Sequence, residues 1–433
     1  MTKVENIAGI RKRIFTIRLR IAIVFHFLPR VFRNEISLRQ YVMFLRRLEF
    51  FLSKLQHNKF ARVGRHTKIG LYIPGAFSRA FYTACEKFLA FNSKLPNTTV
   101  LISVTSACRY RCAHCYQKLD RGKDVDIHKL VAAARSLQDH GTAFFNIEGG
   151  EPFLRYDRLK AICEAIDDRS DIWVNSTGDG MTVERLRELK DLGLTAVMFS
   201  LHTPDPEQFD AFFGSELAWR IMQDGVATCH KTHTPVAFNI CLQKEAFQNG
   251  LFEQLMDKSR EFGAAFVQLI KPKSAGGWLD GGADEFAETD LQRVKDMVNM
   301  YNSERKYEKY PSISAQIIEE DKRMFGCTAG GTDRFYINAK GDVQPCEFLN
   351  ISFGNIAQED FHSIYLRMRN LFEKPGECWL CEKYSNTIRD IARDNDLSTL
   401  PLSKELSAQV YEDWNRGNKT ELYDVIENDL TAN

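Results

Sequence analysis

The sequence has no run of about 20 apolar residues, so no segment is long enough to cross a bilayer as a helix. It has almost no net charge: 58 Lys and Arg stand against 57 Asp and Glu, a balance of +1. That excludes the strong overall basic field of a protein that coats nucleic acid. The first apolar stretch is interrupted by arginines, so no secretory signal pattern stands at the N-terminus. The cysteines, eleven in number, cannot all pair. Together these point to a reducing cytosol in which cysteines act as ligands rather than in disulfides. What remains is ordinary: 433 residues, 44% hydrophobic and 27% charged, enough for two or three domains with sizeable cores.

The near-zero charge hides an asymmetry. Residues 1–60 hold 13 Lys and Arg against 3 Asp and Glu, leaving 45 against 54 for the rest. Arg11, Lys12, Arg13, Arg18, Arg20, Arg30, Arg33, Arg39, Arg46 and Arg47 alternate with Ile, Phe, Leu and Val. One reading is a pair of helices lying on an anionic membrane surface. The other is a helical extension packed on the acidic remainder of the chain. A nucleic-acid arm is a third option, and the density of Phe, Ile and Leu argues against it. Pro29 is expected to break the first helix. Residues 64–98 read as a linker with a turn at Pro74-Gly75 and a helix over Arg79–Phe91, in which Cys85 is a buried structural thiol.

Three cysteines fall within eight residues, Cys108-Arg-Tyr-Arg-Cys112-Ala-His-Cys115. Thiolates are soft ligands for iron–sulfur clusters or zinc. A closed structural site wants four ligands, so three suggest an open corner where something else binds. The loop hangs from the end of a β-branched run at 99–104, a strand end where α/β folds place ligands. After the apolar run 143–147 comes Gly149-Gly150-Glu151-Pro152, whose glycines allow close backbone approach and whose carboxylate can pair with an ammonium. The plainer alternative is a zinc loop followed by an unrelated turn.

From 98 to about 310 the pattern alternates. Strands are expected at 99–104, 143–148, 171–175, 194–200, 235–241 and 265–270, with helices near 127–139, 155–167, 182–191, 216–230 and 249–262. Six such units imply a parallel sheet with right-handed crossovers. Polar residues stand at the strand ends: Asn175, Ser176, Ser200, His202 and Asn239. Each is a candidate ligand contact or simply a cap or turn residue. The loop from Lys271 through Lys273 to Trp278 is Gly-rich and basic, a candidate substrate loop or a merely flexible one. Cys163, Cys229 and Cys241 show no ligand spacing and read as core thiols.

After 310 the alternation is expected to stop. A hairpin, Arg334–Ile337 and Val343–Pro345, would bring Cys346 near Cys327, and Cys378 and Cys381 would close a four-thiolate cage. On spacing alone that cage suits zinc or an iron–sulfur cluster. Residues 386–433 are polar and read as helical or loosely ordered.

The Cys108–Cys115 loop together with Gly149–Pro152 resembles the radical S-adenosylmethionine (SAM) superfamily, although His114 stands where the family usually has an aromatic residue. The Cys-x13-Gly-x4-Cys spacing from Cys327 to Cys346 is similar to the start of a SPASM domain, here in its shorter twitch form. The resemblance implies a partial (β/α)6 barrel over 98–310, an auxiliary-cluster domain over 311–385, a helical basic extension over 1–97 and a polar tail from 386. It implies a [4Fe–4S] cluster on Cys108, Cys112 and Cys115 that binds SAM. It implies SAM contacts from His114, Gly149, Gly150, Glu151, Pro152, Asn175, Ser176, Ser200, His202 and Asn239, with Glu151 receiving the ammonium. An auxiliary [4Fe–4S] cluster on Cys327, Cys346, Cys378 and Cys381 follows, as does a flavodoxin- or ferredoxin-type electron donor. The chemistry would be hydrogen abstraction by a 5′-deoxyadenosyl radical. The basic apolar extension favours a hydrophobic, membrane-lipid substrate and a cytoplasmic enzyme peripheral to the inner face of the membrane. The alternative is a peptide- or protein-modifying maturase.

Overall fold

The computed structural model describes residues 5–89, 98–372 and 376–424. Its centre is a nine-stranded sheet that runs, edge to edge, through residues 312–315, 266–270, 236–241, 194–200, 171–176, 144–148, 99–103, 334–337 and 343–344. Six strands stand where the alternation predicts them: β4 (Thr99–Ser103), β5 (Phe144–Glu148), β6 (Asp171–Ser176), β7 (Leu194–Ser200), β8 (Val236–Cys241) and β9 (Phe266–Ile270). Helices α4 (Ile127–Asp139), α5 (Tyr156–Ala165), α6 (Val183–Asp191), α7 (Pro206–Phe213), α8 (Ala218–Lys231) and α9 (Leu251–Glu261) return the chain between them. The sheet curls into a partial barrel with the helices outside.

The alternation runs one unit further than expected. Helix α10 (Glu288–Ser303) leads to β10 (Ser312–Ala315), which pairs in parallel with β9. Four residues, mostly small, carry too little pattern to announce a strand. On the other edge, β11 (Arg334–Ile337) pairs in parallel with β4, and β12 (Val343–Gln344) completes the expected hairpin. The C-terminal unit is therefore stitched to the barrel through one continuous sheet.

Strand side chains alternate, so every second residue points into the bore. The lower layer is apolar: Phe144, Trp173, Ala196, Ala237 and Phe266. Residues 60–77 plug this end, although a linker was expected from residue 64 onward. Strands β1 (Asn6–Ile7), β2 (Phe60–Val63) and β3 (His66–Lys68) form a small antiparallel sheet, and Ala61, Val63 and Leu71 join the bore's apolar cluster. Lys68, 1% exposed, pairs with Asp171 at 3.2 Å while its ammonium sits over the Phe144 and Trp173 rings at 4.5 and 4.8 Å. The plug is also stitched laterally, for Lys59 Nζ donates to the Tyr307 and Tyr310 carbonyls at 2.7 and 2.9 Å.

The N-terminal helices pack outside this plug. Helix α1 (Gly9–Phe32) buries Leu19, Ile23 and Phe27 against α2 (Leu38–Lys54), which buries Phe44, Leu48 and Leu52. A capping box between Ser37 and Gln40 starts α2. Pro29 does not break α1: it falls in the last turn on the exposed face, where water can satisfy the carbonyl it leaves without a partner. Helix α3 (Arg79–Glu86) follows the plug and buries Cys85.

The tail, expected to be polar and loosely ordered, folds back up to residue 424. After α11 (Gln316–Glu319), α12 (Phe361–Leu371) and α13 (Leu380–Lys383), helices α14 (Ser385–Asp394) and α15 (Lys404–Tyr411) bury Ile388 and Val410, and Leu402 just before α15 is buried too. Tyr411 stacks on Phe353 at 5.3 Å. Residues 425–433 lie outside the described residues. Among the described residues no helix is long and apolar enough to cross a membrane.

Candidate active site

The upper layers of the bore are polar. By the same alternation that buries Phe144 and Trp173, β5 presents Asn146 and Glu148, β6 Asn175, β7 Ser200, β8 Asn239 and Cys241, and β9 Gln268. These line a pocket of about 170 Å³ at the C-terminal ends of the strands. Ser176 and His202, Gly149 and Gly150, and the loop residues Lys271, Lys273 and Trp278 line it too. Nearly all sequence candidates thus converge. Asn146, Glu148, Cys241 and Gln268 were missed, although each follows from strand parity once one inward residue is known. Cys241, expected to be a core thiol, shares its face with Asn239 and lines the pocket.

Glu148 is the hub. Its carboxylate accepts from Tyr116 Oη at 2.5 Å, from Asn175 Nδ2 at 3.0 Å and from Asn146 Nδ2 at 3.4 Å. Burial pushes it up to about 8. Tyr116 follows the last cysteine of the loop, so this network ties the loop to the bore.

Gly149 and Gly150, besides lining the pocket, permit a close approach of backbone to backbone. A Cβ on Gly150 would lie 2.3 Å from the Ala107 carbonyl oxygen, so the glycines let this turn close onto the start of the cysteine loop. Glu151 and Pro152 do not line the pocket. The Glu151 carboxylate is fully buried and accepts from Phe153 N, Ser176 Oγ and both the N–H and hydroxyl of Thr177. A carboxylate has about four acceptor sites, and all are filled. As it stands, this carboxylate braces the Ser176–Thr177 turn, and the carboxylates lining the pocket are those of Glu148 and Glu347.

Burial pushes Cys112 up to about 12, and the nearby Cys115 and Cys108 add to the rise. Neutral soft donors of this kind become ligands when a metal displaces their protons. His114 contacts the rings of His202, Phe212 and Trp278 at 4.7, 4.6 and 5.6 Å. Burial pushes it down to about 4, and its Nδ1 has no hydrogen-bond partner among the described residues.

The loop after β9 is a strap rather than a flexible segment. Gly277 N donates to the Cys115 carbonyl at 2.9 Å, and a Cβ on Gly277 would lie 2.0 Å from the Ala113 oxygen. Lys271 and Lys273 both reach Glu382, at 2.9 and 2.6 Å, and Lys273 Nζ lies 3.6 Å from the Trp379 ring centroid. Their charges are engaged with the C-terminal unit.

There, Cys327, Cys346 and Cys381 line a second, small cavity with Glu320 and Arg334. Arg334 pairs with Glu320 at 2.8 Å and lies 3.7 Å from Glu347. Cys378 lies outside that lining, with Sγ 3.9 Å from Lys383 Nζ. Among the described residues no three His, Cys, Asp or Glu side chains converge tightly enough for a single metal ion. A preformed zinc cage would need sulfurs about 2.3 Å from one point. Three thiols lining one cavity are soft donors of the kind that holds an iron–sulfur cluster.

Residues 102–246 match the Radical SAM superfamily, and residues 327–383 match the SPASM iron–sulfur cluster-binding domain. The chain is similar to the AdoMet-dependent heme synthase of Nitratidesulfovibrio vulgaris, 23% identical over 307 residues, which covers 64% of this chain and 83% of the relative. It is also similar to the GTP 3',8-cyclase of Photorhabdus laumondii, 26% identical over 40% of this chain and 55% of that one. Among solved structures it shares its fold with Streptococcus suis SuiB bound to S-adenosylmethionine, with TM-score 0.55 and 15% identity, covering 72% and 81% of the two chains. SuiB bound to precursor peptide SuiA gives TM-score 0.53 at 16% identity, over 68% and 73%.

Proposed function

The chain is a radical SAM superfamily member with a C-terminal SPASM-type cluster domain, and from that we infer that it abstracts hydrogen from a hydrophobic, membrane-associated substrate held over the barrel mouth. When bound, the clusters and SAM supply one-electron cleavage of SAM and a 5′-deoxyadenosyl radical. Cys108, Cys112 and Cys115 would hold the first cluster, and Cys327, Cys346 and Cys381, with Cys378 at the rim, the auxiliary one. Asn175, Ser200 and Asn239 offer hydrogen bonds to SAM, and His114 offers a flat face to its adenine. The strap Lys271–Trp278 excludes water from the pocket. An auxiliary cluster held by these C-terminal cysteines would supply a one-electron acceptor for the substrate radical, making the net reaction an oxidation.

One observation carries the substrate class. Along α1, Ile10, Ile14, Ile17, Ile21, Phe25 and Phe32 are all more than half exposed. At 3.6 residues per turn they fall within an arc of about 80°, opposite the buried face. Arg11 and Arg18 flank the arc on one side, Arg13 and Arg20 on the other, all exposed. Such a helix suits the interface of an anionic membrane, with each basic residue adding about 1 kcal/mol. A peptide is the second reading, since SuiB, which shares the fold, has been solved with a precursor peptide.

Flotation with phosphatidylglycerol vesicles separates them. The protein should float at low salt and less at high salt. The double variant Ile14→Asp, Ile21→Asp should stay at the bottom with its iron content intact. If the unchanged protein ignores vesicles at low salt, the peptide reading takes first place.

A further inference from the structure

The polar side chains of the bore are not evenly satisfied. Tyr72, Gln268 and Asn239 bond one another: Gln268 Nε2 donates to the Tyr72 hydroxyl at 2.5 Å, and Asn239 Nδ2 donates to Gln268 Oε1 at 3.3 Å. Asn146, on β5, is 1% exposed and lines the same pocket, yet its Oδ1 has no hydrogen-bond partner among the described residues. Its orientation is set, because Nδ2 faces Glu148 Oε2 at 3.4 Å and a carboxylate only accepts. A buried amide oxygen left this way is costly, and it asks for a donor from outside the chain.

Glu148 adds charge to this corner. It is buried, and of its about four acceptor sites three are filled, by Tyr116, Asn175 and Asn146. All three donors are neutral. The cations around the pocket are engaged elsewhere: Lys271 and Lys273 reach Glu382, and Arg334 pairs with Glu320 and faces Glu347. A buried carboxylate calls for a counter-charge, and among the described residues none forms an ion pair with it.

Depth separates this corner from the cysteine loop. Successive inward residues of a strand lie about 7 Å apart, so Asn146 faces the level below Glu148, towards the apolar floor. Leu101, in register with Asn146, lines the pocket beside it. SAM tethered at Cys108, Cys112 and Cys115 would enter from the opposite end.

We propose that Glu148 and Asn146 receive a protonated nitrogen of the substrate, an ammonium, beneath the space taken by SAM. The substrate class is then an amine. The proposal rests on this pocket being where SAM is cleaved and is independent of membrane attachment.

The test uses the cluster-loaded protein saturated with SAM, and measures hexylammonium and hexanol, equal in length, by ligand-observed NMR at pH 7. Because SAM is already bound, its own ammonium is accounted for, and a preference for the amine reports a separate receptor. Hexylammonium should bind at least about tenfold more tightly, through its charge-assisted hydrogen bonds. Glu148→Gln should erase that preference. Adding Asn146→Asp returns a carboxylate to the same corner and should restore most of it, a rescue that a purely structural role for Glu148 would not show. Should Glu148→Gln lose iron or cooperative unfolding, Asn146→Leu takes its place and should weaken hexylammonium while sparing hexanol. Equal binding of the two probes to the unchanged protein overturns the proposal and leaves the corner to water. A fall of about tenfold in the SAM affinity of Glu148→Gln, with no amine preference in the SAM-loaded unchanged protein, assigns the carboxylate to SAM's own ammonium and likewise overturns it. Failure of vesicle flotation bears on membrane attachment alone.

Discussion

Two carboxylates a few residues apart do opposite jobs, and their burial makes both testable. Glu151→Gln leaves one carbonyl oxygen and an added NH₂ among four donors aimed at a carboxylate. Hydrogen bonds to charged groups contribute about 1.5–3 kcal/mol each, so a loss of about 2–3 kcal/mol in denaturant unfolding is expected. SAM affinity should fall with it, through the Ser176–Thr177 turn rather than a lost ion pair. Glu148 is held by desolvation at about 8, against an ordinary 4.5 in the unfolded chain. A group raised on folding binds its proton more tightly in the native state, so stability is full below the lower value and is lost as pH rises towards the higher one. The protein should therefore melt at lower temperature at pH 8 than at pH 6. The slope from this group is at most about 1.4 kcal/mol per pH unit, and Glu148→Gln should flatten the profile. Neither role was visible in the sequence: both residues sit in one Glu-Gly-Gly-Glu stretch, and only the strand's end decides which carboxylate enters the bore.

At the scale of elements, periodicity read the barrel well because period-2 strands and period-3.6 helices leave strong traces over six repeats. It failed at β10, whose four residues hold little apolar alternation, and at residues 64–77, where short strands and glycines look like a linker until the bore they fill is known. The loop after β9 shows the same limit. Its glycines suggest flexibility, yet they are there for contact with the cysteine loop. Gly277→Ala should force strap and loop apart. The expected outcome is a folded protein whose visible cluster absorption bleaches several-fold faster in air, with weaker SAM cleavage. Unchanged bleaching would mean the strap does not shield the loop.

The whole molecule is assembled from the bottom of the bore upward, so the N-terminal extension is not a removable module. Lys68 and Asp171 form a buried pair from residues 103 positions apart. Removing one partner of such a pair costs about 3–5 kcal/mol, because the other charge stays buried. Lys68→Met should therefore destabilise the entire barrel, whereas Lys68→Met with Asp171→Asn should recover much of the loss. Denaturant unfolding of the single and double variants checks this. A truncation that begins near residue 64 would remove β2 from the plug, which is why point changes on α1, and not deletion, report on membrane attachment. That the arm is both basic and apolar was legible in the sequence. That the residues just after it floor the barrel was not, because the contacts are long-range and the segment itself is short.

The strand pairing between β4 and β11 has a consequence for electrons. The first cysteine loop leaves the C-terminal end of β4, and the hairpin that leads to Cys346 begins with β11, hydrogen-bonded directly beside it. Adjacent strands are held about 4.8 Å apart with no hinge between them. An electron passing from a cluster on the first loop towards Cys346 would cross a span held by these paired strands, with no hinge to move. Its rate should then be independent of large-scale motion, and thickening the solvent with glycerol should leave it unchanged.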